Sequence, residues 1–116
     1  MKYLVLVFSI VLFGCAQSPP STSNVDDWQL FGEQTAMKGF TKKDEATLSK
    51  SAASPIDSEL YAAYDKGYEA GRIEYCSQNP RSLGRKGEQY HGICDDIDKW
   101  FRIKFEGGAQ SKIDLR

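Results

Sequence analysis

SPIDSELYAAYDKGYEAGRIEYCS, residues 54–77, is the stretch on which the fold turns. Ser54 offers a capping hydroxyl, Pro55 suits a first helical position, and Asp57 brings a carboxylate three residues after the cap. Ile56, Leu60, Tyr64, Gly67, Gly71 and Tyr75 then recur at helical spacing, with Tyr61, Tyr68 and Arg72 beside that stripe. The spacing predicts one helix to about Ser77, stopped by Asn79-Pro80, because proline cannot continue it. Two glycines inside a helix cost about 1 kcal/mol each relative to alanine. A cost of that size implies a return in packing: Gly67 and Gly71 clear one strip so that another backbone can approach. The candidate is a second small-residue strip at Gly32 and Ala36. Asp65, Lys66, Glu69, Arg72 and Glu74 keep the outer face in water, so the small-residue pattern reads as intramolecular packing rather than the association of lipid-embedded helices.

On the N-terminal side, Trp28, Phe31, Gly32, Thr35, Ala36 and Gly39 follow Asp26-Asp27 at helical spacing and predict a short helix ending near Gly39. Thr41 to Ala53 holds few apolar residues and reads as a loop or a solvated helical turn, the least ordered part of the domain. On the C-terminal side, Asp95-Asp96-Ile97-Asp98 open a third helix in which Ile97, Trp100, Phe101 and Phe105 can share a face, with acids at its start suiting the helix dipole. That helix is expected to end at Gly107-Gly108, with residues 109–116 a flexible tail. A strand alternating Phe101, Ile103 and Phe105 is the weaker choice, because Trp100 and Lys104 then compete for the other face.

The N-terminus locates the protein. Lys2 precedes an apolar run from Leu4 to Phe13, closed by Gly14 and Cys15, and this order matches the lipobox of a bacterial lipoprotein precursor. The run is well short of the roughly 20 apolar residues that span a bilayer as a helix. Residues 1–14 therefore read as a signal peptide and Cys15 as the acylated first residue of the mature chain, held stably by more than one acyl chain. Ala16-Gln17 puts no aspartate next to the cysteine, which favours the outer membrane facing the periplasm. Residues 15–25, rich in Ser, Pro and Thr, form a tether. Cleavage would leave 102 of the 116 residues, with 14 Lys and Arg against 16 Asp and Glu. Such a balance argues against nucleic acid, which usually demands a basic face.

What folds is about residues 26–108, one small all-α domain of about three helices. A body of that size buries about 60 to 65% of its unfolded surface and needs a staple. With Cys15 acylated, Cys76 and Cys94 remain as an even pair in an oxidising compartment, so a disulfide is expected. Closing a loop of that length contributes roughly 3 kcal/mol.

Trp28-xxx-Gly32-xxx-Ala36-xx-Gly39, Tyr64-xx-Gly67-xxx-Gly71-xxx-Tyr75-Cys76 and Gly84-xx-Gly87-xx-Tyr90-xxx-Cys94 together resemble a family of small bacterial lipoproteins catalogued as domain of unknown function 2799. The resemblance covers nearly the whole mature domain. It implies an envelope location and a compact helical fold, and no activity. Relatives often carry an Asp-Gly or Asp-Ala pair in the first helix, where this chain has Thr35-Ala36.

Candidate sites are few. Pro80 to Gly92 sets Arg81, Arg85 and Lys86 among glycines beside Tyr90 and His91, a composition able to hold a carboxylate or phosphate, or simply to form a solvated loop closed by the disulfide. No phosphate-loop order of glycines followed by Lys-Ser or Lys-Thr is present. Cys76, His91 and Cys94 with Asp95 or Asp96 are residue types suited to zinc, but the oxidising compartment favours a sulfur–sulfur bond, so no metal and no cofactor is expected. His91 lacks a nucleophile partner in a recognisable motif, and the paired acids read as helix caps, so the chain is not expected to be an enzyme. Two functions follow as expectations. One is a tethered module that contacts another envelope protein through exposed Tyr61 and Tyr68 and the Arg81 to Tyr90 loop. The other is a lipoprotein that grips an anionic cell-wall or lipid headgroup through Arg81, Arg85 and Lys86.

Overall fold

The computed structural model describes residues 18–114, with side chains described as far as residue 110. Residues 1–14, read above as a signal peptide, and Cys15 lie outside the described residues. Five helices and no strand occur among those described: α1 (Val25–Met37), α2 (Glu45–Ser51), α3 (Ser58–Cys76), α4 (Pro80–Arg85) and α5 (Phe101–Asp114). They form two packed pairs, α1 on α3 and α4 on α5.

The first pair is built on missing side chains. A Cβ added at Gly67 would overlap the carbonyl oxygen of Gln29, and one at Gly32 would overlap that of Tyr64. One added at Gly71 would lie 2.5 Å from the Glu33 carbonyl oxygen and 3.0 Å from the Ala36 Cβ. Gln29 faces Gly67 and Glu33 faces Gly71, so α1 and α3 run in the same direction with their backbones in contact. The small-residue strips expected from the sequence are therefore the seam of this pair. Trp28, Phe31 and Tyr64 fill the space where the helices diverge, and Trp28, 1% exposed, stacks edge-on against Phe31.

Parallel helices need a connection that returns along their length, and three of the four tyrosines of α3 hold it down. Tyr68 donates its hydroxyl to the Phe40 carbonyl (2.8 Å), Tyr61 donates to the Lys43 carbonyl (3.0 Å), and the Lys43 N–H donates to the Tyr64 hydroxyl (3.0 Å). The extended segment 40–43 is thus strapped across α3. Beyond it, Asp44 caps α2 through the Thr47 N–H, and Leu48 is fully buried, so the polar stretch read as a loop or a solvated helical turn carries a short helix anchored in the core. These bonds also correct the expectation for the tyrosines. Tyr68 is 2% exposed and Tyr61 half-buried, because an extended backbone lying on a helix needs partners for its polar groups.

Burial pushes Tyr68 up to about 12 and raises Tyr61, Tyr64 and Tyr75 as well. A tyrosine of raised pKa supports the fold fully below its unfolded value of about 10 and loses that support as pH climbs through the folded value. Phenolate absorbance should therefore lag a free-tyrosine titration, with stability falling between about pH 10 and 12. Coincidence of the two curves would contradict the strap.

Three boundaries shift from their sequence reading. Asp57, not Ser54, caps α3, accepting from the Leu60 N–H at 2.9 Å, and Pro55 stays outside the helix. A carboxylate at the cap also meets the helix dipole, which a serine does not. Asn79 caps α4, so half of the expected glycine-rich loop is helical. Finally, α5 begins at Phe101 and runs past Gly107 and Gly108 to Asp114. Gly84 lies on the Phe105 carbonyl and Gly108 on the Arg81 carbonyl, which sets α4 antiparallel to α5. Burial at that seam outweighs the glycine cost that would have ended the helix.

Cys76 and Cys94 are disulfide-bonded across 5.7 Å between Cα atoms and join the two pairs. Tyr75 meets Phe101 beside the bridge, and Tyr90 packs on Phe101 and Phe105. Phe101 and Phe105 are core, as expected, but Ile97 and Trp100 point outward, 47% and 54% exposed. Helix α5 starts after them, so the helical spacing that would have carried them inward does not extend that far back.

Candidate functional site

A shallow depression of about 250 Å³ opens between the strap, α3 and the turn at residues 92–96, lined by Lys42, Tyr68, Glu69, Arg72, Ile93 and Asp96 among others. Its charges answer one another. Lys42 lies 2.5 Å from Asp65 and 2.9 Å from Glu69; Arg72 lies 3.0 Å from Glu69 and 2.6 Å from Asp96 and also donates to the Ile93 carbonyl at 3.1 Å. Burial pulls Lys42 down, but hydrogen bonds to Asp65 and Glu69 more than reverse this and hold its ammonium above the ordinary value. The Lys42 hydrogen bond lowers Glu69, and the Arg72 hydrogen bond lowers Asp96. The depression is a clasp between α3, the strap and the 92–96 turn, with its cations already neutralised. Sequence reasoning placed Arg72 beside the buried stripe and passed over Lys42, whose partners come from a different element.

The 90–98 turn has its own internal ties. The Tyr90 hydroxyl donates to Asp95 (2.9 Å) and accepts from the Cys94 N–H (2.9 Å), and Arg102 reaches Asp95 at 2.8 Å while lying over the Tyr90 ring. Burial raises Tyr90 to about 12, and the Arg102 hydrogen bond lowers Asp95. Tyr90 is thus half-buried and structural, whereas the sequence set it beside a binding loop. His91 is exposed, its ring against Phe40. Among the described residues no three His, Cys, Asp or Glu side chains gather as a metal site.

Depressed carboxylates support a fold above their unfolded value of about 4 and lose that support as pH falls through the lower folded value. Glu69, Asp95 and Asp96 all carry this sign. Stability should drop on going from about pH 6 to about pH 3, and Glu69→Gln should make the drop shallower. An unchanged acid slope in that variant would show that the clasp contributes nothing.

Of the residues singled out in the sequence, Arg81, Arg85 and Lys86 remain exposed. Arg81 and Arg85 are four residues apart on α4 and so share a face. Helix α4 itself is fixed, with Leu83 buried, Gly84 seated on the Phe105 carbonyl and the Arg81 backbone against Gly108. Among the described residues none of the three cations forms an ion pair. They are the part of the expected site that the fold leaves open, on a helix that cannot shift without losing its seam.

The model of a protein family of unknown function, DUF2799, matches residues 27–110, and the chain belongs to that family. No curated protein and no solved structure matches it.

Proposed function

We propose that this chain is a non-enzymatic interaction module, tethered to the bacterial outer membrane through an acylated Cys15, that contacts another envelope protein through the exposed face of α4. The observation that carries this reading is the presentation of Arg81, Arg85 and Lys86 on a helix clamped backbone to backbone against α5. Side chains on a fixed element lose less entropy on binding, and arginine is among the residues that dominate interface energies. The paired charges of the depression and the structural roles of Tyr90 and Asp95 support binding rather than catalysis. With Tyr68 buried, the contact surface rests on α4 and no longer on the tyrosines.

The test is photocrosslinking in living cells from a probe replacing Arg85, resolved by mass spectrometry. A discrete protein adduct, lost when Arg81 and Lys86 become alanine in the same chain, is the expected result. Truncating an arginine at the centre of an interface typically costs 2 kcal/mol or more, about 30-fold in affinity. A glycan or lipid adduct would instead favour the reading in which the same cations hold an anionic headgroup.

A further inference from the structure

A second surface lies where α5 begins. Ile97, Trp100 and Ile103 follow one another at three-residue spacing and are 47%, 54% and 59% exposed, while Phe101 and Phe105 on the inner side are buried. Large apolar side chains exposed as a group mark an interaction surface, whereas the same residues scattered singly would not. The charges around them are unevenly engaged. Asp95 is tied to Arg102, Asp96 to Arg72 and Glu106 to Arg102, and Asp98 accepts from the Trp100 N–H at the start of α5. Lys99 and Lys104 form no ion pair among the described residues, and the Lys99 ammonium sits 5.6 Å from the centre of the Trp100 ring.

The combination of exposed isoleucine and tryptophan with two lysines is less typical of a protein interface, where tryptophan is enriched but lysine is depleted. It suits a bilayer surface, where tryptophan settles at headgroup level and lysine buries its stem while its ammonium meets anionic phosphate. The N-terminal chain limits how far this surface can move from a membrane. The Trp28 indole N–H donates to the Thr22 carbonyl at 2.9 Å, and Thr22 bonds Asp27 at 2.6 Å, so the end of the tether is fastened to α1. Only six residues lie between Cys15 and Thr22, a reach of about 25 Å when fully extended.

We infer that the Ile97, Trp100 and Ile103 ridge, with Lys99 and Lys104, rests on the surface of the bilayer that anchors the chain and orients the domain upon it. This rests on the reading of Cys15 as a membrane anchor and is independent of the role given to α4.

The chain's two tryptophans make the test direct, since Trp28 is buried and residues 1–17 contain none. Full-length acylated protein is reconstituted into vesicles of phosphatidylcholine and phosphatidylglycerol with brominated acyl chains. Flotation reports the anchor, and loss of tryptophan emission reports the ridge. The expected result is flotation with quenching of the parent, no quenching of Trp100→Phe, and weaker quenching of a variant with Lys99→Glu and Lys104→Glu. Flotation with no more quenching of the parent than of Trp100→Phe would overturn the ridge proposal while leaving the anchor intact; a ridge that covers a protein would give that result. Failure to float would overturn both.

Discussion

Replacing Gly67 with alanine is expected to lower the thermal midpoint by about 10 °C or more. The substitution gains about 1 kcal/mol of helix propensity, yet the new methyl would occupy the position of the Gln29 carbonyl oxygen. That neighbour is backbone, hydrogen-bonded inside α1, so no rotamer change relieves the overlap and the two helices must separate. Overpacking that moves backbone costs about 1 to 3 kcal/mol, and separation also forfeits the contacts of Trp28, Phe31 and Tyr64 along the seam. A net loss of about 2 kcal/mol corresponds to roughly 8 to 16 °C in a domain of this size. An internal control exists in α5. Gly107 has nothing within 4 Å of an added Cβ, whereas one at Gly108 would overlap the Arg81 carbonyl oxygen. Gly107→Ala should therefore raise the midpoint by about 4 °C and Gly108→Ala should lower it, although the residues are adjacent on the same helix. If both alanines moved the midpoint in the same direction, helix propensity rather than backbone contact would govern these glycines. Circular dichroism melts of the three variants decide the matter.

The seam was legible in the sequence because a glycine that costs helix propensity needs a compensating contact, and Gly32 with Ala36 and Gly67 with Gly71, each pair at four-residue spacing, supply it. The second seam was not. Gly84 sat in a stretch whose cations and glycines resemble a loop, and Gly107-Gly108 looked like a stop signal; only burial against α4 separates a terminating glycine from a packing one. The same limit applies to the tyrosines of α3. Their spacing places them on or near the buried stripe, but the strap they bond has no signature in residues 40–43, because any residue supplies a backbone N–H and C=O. Arg81, Arg85 and Lys86 were legible as surface cations, since charge on a short polar segment stays in water. Helical spacing places Ile97 and Trp100 on one face with Phe101 and Phe105, which are core. The exposure of Ile97 and Trp100 follows from the late start of α5, and helix starts are poorly marked where three aspartates crowd together, as in residues 95–98.

Removal of the Cys76–Cys94 bridge is the other large effect to expect. With a sequence separation of 18, the bond restricts the unfolded chain by roughly 3 kcal/mol, and loss of a native disulfide from a small domain typically costs about 2 to 5 kcal/mol. Alanine is the appropriate replacement at both positions. Cys94 is fully buried, and a serine hydroxyl there would add a desolvation cost unrelated to the bond. The double alanine variant should unfold at lower denaturant by an amount equivalent to about 3 kcal/mol. The loss should fall unevenly over the fold. The α1 and α3 pair keeps its backbone seam and its tyrosine strap, whereas α4 and α5 are joined to it otherwise by the Tyr75 and Phe101 rings and by Arg72 on Ile93 and Asp96. Amide exchange should therefore accelerate first in α4, α5 and the 90–98 turn, with α1 and α3 retaining more protection. Uniform acceleration across all five helices would mean that the two pairs fold as one cooperative unit and that the bridge acts only through the unfolded chain. Accelerated exchange confined to the second pair would identify the disulfide as what holds the α4 cations and the Trp100 ridge in fixed relation to α1, where the tether is fastened.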